Sequence, residues 1–139
     1  MPRGTIALWF AAGGMLIAPL ARGVDTSVDP AAAAKGQIAY VRYCVACHGP
    51  AGKADGPLAN DLRVAVSDLT TLTSRNRGSF PHDRVEKIVK SGENVRGHGT
   101  SDMPAWGDVF KKTKGTDEAT VDAAVRNLVH FVWSIQQPK

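Results

Sequence analysis

The chain has 139 residues, with 17 Lys and Arg against 13 Asp and Glu and a formal charge of +4. That is room for one domain, and it falls far short of the dense basic footprint of a nucleic-acid binder, a partner class it excludes. Arg3 and Arg22 lie in an N-terminal stretch without acidic residues, so the rest carries 15 basic and 13 acidic side chains, and net charge selects no partner.

The first pattern in chain order is one of export. Arg3 gives a positive start, Ile6 to Leu20 is uncharged and almost wholly apolar, and Ala21-Arg22-Gly23 offers a cleavage triplet. The run is short for a membrane span, which takes about 20 apolar residues. Residues 1–23 therefore read as a signal peptide, with retention as an uncleaved membrane anchor as the alternative. Residues 24–28 read as a linker and 29–139 as the folded domain.

Asp29-Pro30 starts a helix, a capping carboxylate followed by proline in the first turn, which alanines and Lys35 to Tyr43 continue. Gly49 to Gly56-Pro57 is a loop. Leu58 to Val64 has short helical character, and Ser67 to Ser79 is polar and irregular. A second helix is expected from about Pro81 to Lys90, with Val85, Ile88 and Val89 at helical spacing and Ser91-Gly92 as its stop. Glu93 to Gly107 is a second Gly-rich loop. The longest helix runs from about Asp117 to Gln136, with Val121, Val125, Leu128, Val132 and Ile135 in one stripe. No alternating strand pattern is present. The fold class is all-α with long loops, and loops of that length need something to order them.

The chain has two cysteines, in Cys44-Val45-Ala46-Cys47-His48. C-x-x-C-H is the attachment pattern of c-type haem. Two thiols at this spacing can each add to a vinyl group of one porphyrin, and the next residue then directs its imidazole to the iron. Three other readings remain for the segment. A thioredoxin-like dithiol calls for a βαβ context, a zinc site calls for a second ligand pair, and a chance CxxC has no chemistry. With export, Met103 is the one methionine left beyond residue 23. It sits between Asp102 and Pro104 in a loop, a poor place for core filler, and it reads as the second axial ligand. His98, in Gly97-His98-Gly99, competes for the iron and would give bis-His ligation at a lower potential.

The order of attachment motif, Gly-rich loop, Gly56-Pro57 and Met103-Pro104 before a C-terminal helix resembles the class I monohaem cytochromes c of the bacterial periplasm, from Asp29 to the end. The resemblance implies a small cytochrome c fold, with N- and C-terminal helices crossing and loops wrapping one covalent haem c. It implies close helix packing at Gly36 and Tyr40 against Leu128 and Phe131. It also implies that the Pro57 carbonyl accepts the Nδ1–H of His48, a contact that orients the ring and raises its basicity. Trp106 is placed to cover the haem edge or a propionate. Trp133, His82 and His130 read as helix residues that pack or are satisfied locally, and Lys111, Lys112 and Lys114 as a basic cluster. Arg75 and Arg77 are candidate propionate partners.

The functional expectation is an electron carrier in the periplasm, not an enzyme. It would dock transiently with redox partner proteins at the haem edge, without nucleic acid, and would touch a membrane only through an N-terminal anchor. The alternatives are a fixed haem subunit of a dehydrogenase or oxidase complex, a gas-binding haem sensor or enzyme if Met103 does not ligate, and a haem-free thiol–disulfide oxidoreductase.

Overall fold

The computed structural model of the protein describes Met1 and residues 27–92, 103–114 and 117–138. The export segment, most of the linker, His98 and the Lys114 side chain lie outside the described residues. Every regular element among the described residues is helical, and none of these helices is long and apolar enough to cross a membrane.

Helix α1 spans Pro30–Tyr43. The Asp29 carboxylate accepts from the amides of Ala31 at 2.8 Å and Ala32 at 3.1 Å, and Pro30 sits where no amide is needed. The Asp29 amide donates to Nδ1 of His130 at 3.1 Å, tying the start of α1 to the last helix. A single turn, α2, follows at Val45–His48. Then come α3 at Leu72–Arg75, α4 at His82–Ser91, α5 at Trp106–Lys114 and α6 at Glu118–Ser134. The Asp117 side chain caps α6 through the Thr120 amide at 2.9 Å.

The crossing of α1 and α6 is the main helix contact. A Cβ on Gly36 would land on the Asn127 carbonyl and 2.9 Å from Phe131 Cβ, so the two backbones touch. One turn later the Tyr40 ring tilts against Phe131, centroids 4.8 Å apart. Phe131 is thus the partner expected of Tyr40. The close approach to Gly36 involves Asn127, while Leu128 belongs to the buried core. That core joins Val121, Val125 and Leu128 of α6 to Val85 and Val89 of α4 and Phe110 of α5.

Two stretches are more ordered than their composition suggests. Helix α5 begins at Trp106, inside the expected Gly-rich loop. Gly107 belongs to this helix because its α-carbon packs on α4: a Cβ there would sit 2.6 Å from the Lys90 carbonyl oxygen. The wholly buried Phe110 then anchors the helix. Within Ser67 to Ser79, the Asp68 side chain caps a 3-10 turn at Leu69–Thr71 through the Thr70 amide at 2.8 Å, and the turn leads into α3. The helical stretch expected at Leu58 to Val64 is shorter, a 3-10 turn at Ala59–Asp61.

Two tertiary ties account for side chains whose roles were open. Lys90 bridges Glu118 and Asp122, each at 2.6 Å, and Lys111 reaches Glu118 at 3.3 Å, so Lys111 is committed to an ion pair between α5 and α6. Trp133 packs as expected, stacked on Phe80 at 5.7 Å with the His82 ring edge-on at 4.2 Å.

Candidate haem-attachment site

The site begins where α1 ends. The Cys44 carbonyl accepts the amides of Cys47 at 3.2 Å and His48 at 2.9 Å, closing one helical turn. Residues spaced i, i+3 and i+4 on such a turn share a face, so Cys44, Cys47 and His48 are presented together. Both thiols are half-buried and unbridged. Burial, reinforced by Cys47, pushes the Cys44 thiol up to about 12, so it stays protonated at neutral pH. A thiol–disulfide exchange site needs the opposite, an attacking thiol with a depressed pKa. Among the described residues no cluster of three or more His, Cys, Asp or Glu side chains forms a metal-ion site.

His48 is held by one hydrogen bond, from Nδ1 to the Ser67 carbonyl at 3.0 Å. A carbonyl oxygen only accepts, so Nδ1 carries the proton and Nε2 is left as a bare lone pair. Burial lowers the imidazole pKa, opposed by the Ser67 bond, and the ring is the neutral ligand form. This corrects the expectation for Pro57. Pro57 is exposed, and Gly56 before it lies so close to the turn that a Cβ would meet the Ala46 and Val45 carbonyls. The Leu58 amide donates to the Ala46 carbonyl at 2.9 Å. Residues 56–58 therefore brace the turn through its backbone, and the carbonyl that reaches the imidazole comes from ten residues after Pro57.

The loop after His48 folds back on the site. The Ala54 amide donates to the His48 carbonyl at 2.9 Å. Gly49 and Gly52 take left-handed conformations, φ 79° and 76°, which allow the reversal. The wholly buried Tyr40 reaches it from α1, its hydroxyl donating to the Gly49 carbonyl at 2.6 Å.

Met103 is half-buried at the entrance to α5 and packs on the same core as Cys44. Trp106 lies against Tyr43, the residue before Cys44, with ring centroids 5.3 Å apart. The Met103–Trp106 segment and the attachment turn are thus neighbours. Arg75 donates to the Asp68 carbonyl at 2.6 Å. Ser67 and the Tyr40 hydroxyl were not singled out from sequence. The capping carboxylate of Asp68, ahead of Leu69 and Thr70, was the available signal that the segment is ordered.

A helical domain that carries two unbridged thiols and a neutral, tautomer-locked imidazole on one turn has the donor set of a c-type cytochrome, and those residues fit the haem. Residues 31–132 match the family described as cytochrome C oxidase, cbb3-type, subunit III, and the chain belongs to that family. Haem-based electron transfer, as a carrier or as an oxidase subunit, follows from the membership. No curated protein and no solved structure matches the chain.

Proposed function

We propose that the chain holds one haem covalently through Cys44 and Cys47, with His48 and Met103 as axial ligands, and carries single electrons between redox partners outside the cytoplasm. The observation that carries this reading is the bond from His48 Nδ1 to Ser67, which leaves Nε2 free to ligate on the same turn as two unbridged thiols. When bound, the haem supplies one-electron chemistry at iron. The chain's residues do the rest. Cys44 and Cys47 fix the ring edge. The Ser67 carbonyl orients the imidazole and raises its basicity. Met103 adds a thioether ligand, which favours the reduced state more than a second His would. The end of α4 supports that segment: a Cβ on Gly92 would sit 3.1 Å from the Met103 carbonyl and from the Ala105 nitrogen.

With both axial positions filled, the protein works by outer-sphere transfer and is not itself an enzyme. Partners meet it at the haem edge in small, transient contacts. Residues 1–23 direct export to the periplasm, as a cleaved signal or a retained anchor. The family match favours one further reading, a fixed haem subunit of an oxidase complex. Recovery of the protein alone from the periplasmic fraction supports the carrier, and co-purification with membrane oxidase subunits supports the second reading.

The test is the visible spectrum of the exported protein when oxidised, reduced, and reduced with carbon monoxide, together with its intact mass. A c-type spectrum indifferent to carbon monoxide is expected, with Met103→Ala becoming sensitive to it. Sensitivity in the unsubstituted protein would remove Met103 from the iron and point to a gas-binding sensor or enzyme. A chain without haem, from a host able to attach it, would remove the reading altogether.

A further inference from the structure

Four successive carbonyl oxygens beside the attachment turn each accept from a different donor. Ser67 accepts from His48 Nδ1 at 3.0 Å. Asp68 accepts from the Arg75 guanidinium at 2.6 Å, Leu69 from Gln136 Nε2 at 2.7 Å, and Thr70 from the Gln137 amide at 2.9 Å. The Leu69 amide also donates to the Gly52 carbonyl at 2.7 Å. The segment that presents the Ser67 carbonyl is therefore strapped from both sides.

Gln136 is the one side chain in this set that binds the segment at two places. Its Nε2 donates to the Leu69 carbonyl and, at 2.7 Å, to the Val132 carbonyl of α6, which ends two residues before it. Its Oε1 accepts the Thr73 amide at 2.9 Å. Two carbonyls facing Nε2 and one amide facing Oε1 fix which end of the carboxamide is which. No carboxylate or aliphatic side chain of that size supplies both roles. The Arg75 contact is exposed, whereas those of Gln136 are partly buried, and a less hydrated hydrogen bond holds its geometry more firmly.

We propose that Gln136 is a positioning residue for the His48 imidazole. By tying Leu69 and Thr73 to the end of α6, it holds the Ser67 carbonyl against Nδ1 and so sets how electron-rich the iron ligand is. The proposal rests on the haem reading above. A strong Nδ1–H···O bond raises ligand basicity and stabilises the oxidised iron, so loosening the strap shifts the couple toward the reduced form. The shift expected for Gln136→Ala is about threefold in the oxidised-to-reduced equilibrium. That is a rise of about 30 mV at 59 mV per tenfold for one electron.

The experiment uses the haem-loaded full chain and measures two things: the midpoint potential, and the hydrogen exchange of the His48 Nδ1–H in the reduced protein. Gln136→Ala is expected to raise the potential and speed the exchange. Gln137→Ala removes an exposed side chain and leaves its backbone amide in place, and Val129→Ala opens the core away from the strap. Both are expected to leave the potential unchanged even where stability falls. Gln136→Glu keeps an acceptor for Thr73 but sets a carboxylate against two carbonyls; its added negative charge pulls the potential down, so it is read by exchange alone and is expected to speed the His48 Nδ1–H exchange as Gln136→Ala does. An unchanged potential in haem-bearing Gln136→Ala, unchanged His48 Nδ1–H exchange in Gln136→Glu, or an equal rise in Val129→Ala overturns the strap and leaves the haem reading standing. Should neither Gln136 variant assemble, the unsubstituted protein decides: Thr73 amide and His48 Nδ1–H exchange that tracks the last turn of α6 supports the strap, and independent exchange overturns it. An unsubstituted chain that takes up no haem overturns the haem reading, and this proposal with it.

Discussion

Tyr40→Phe removes one oxygen atom from the junction of α1, α6 and the loop that follows His48. The Gly49 carbonyl loses its 2.6 Å donor but keeps a longer contact from the Gly52 amide at 3.2 Å. The cost at neutral pH should therefore fall at the low end for an abandoned buried acceptor, about 1–1.5 kcal/mol. For a domain of this size that is a fall in Tm of roughly 4–8 °C. The alkaline limb behaves differently. Burial above all, with smaller contributions from Cys44 and Asp55, pushes the Tyr40 phenol from 10.0 up to about 12. A raised folded-state pKa gives stability that is complete below the unfolded value and is lost as pH climbs through the folded one. At about 1.4 kcal/mol per unit, wild type should shed roughly 3 kcal/mol across that window while the Phe variant sheds none of it. About half of this is gone one unit above the unfolded pKa, so the two stabilities should cross near pH ~11. Guanidinium unfolding followed by far-UV circular dichroism at pH 8, 10 and 11 reads this directly. A difference between the two proteins that stays constant over that range would refute the burial argument. Equal stability at pH 8 would refute the hydrogen bond.

Gly36→Ala should lower stability by about 2 kcal/mol in the same unfolding assay, although alanine is the better helix former by ~1 kcal/mol, because the methyl meets the Asn127 backbone and not a side chain that can turn aside. An increase in stability would mean that the helices are free to separate. Asp29→Ala should destabilise at neutral pH through loss of the α1 cap. The amides of Ala32 and Ala31 hold the carboxyl below its ordinary 3.8, so wild type keeps this contribution above that pH and loses it as pH falls through the lowered value. The gap between the two proteins should thus close in acid, and a gap that persists at pH ~2 would assign the effect to something other than the charge.

What was legible in the sequence and what was not divides along a physical line. Cys44, Cys47 and His48 announce themselves because their chemistry lies in side chains at fixed local spacing. Gly36 and Tyr40 came only with the family resemblance, and their packing on α6 is now visible at Asn127 and Phe131. Helix α5 was hidden because Gly107 looks like a loop residue until its contact with Lys90 is known. The acceptor for His48 was misplaced at Pro57 because every residue has a carbonyl, and only the tertiary fold brings that of Ser67 to Nδ1. The same line makes a prediction about Ser67 itself. Its side chain is exposed, and its recorded contact to the site is the main-chain carbonyl. Ser67→Ala should therefore leave the midpoint potential of the haem-loaded chain where it is, while the distant Gln136→Ala moves it. A shift of comparable size in Ser67→Ala would place the effect in the hydroxyl, and the backbone account of how this chain tunes its ligand would fail.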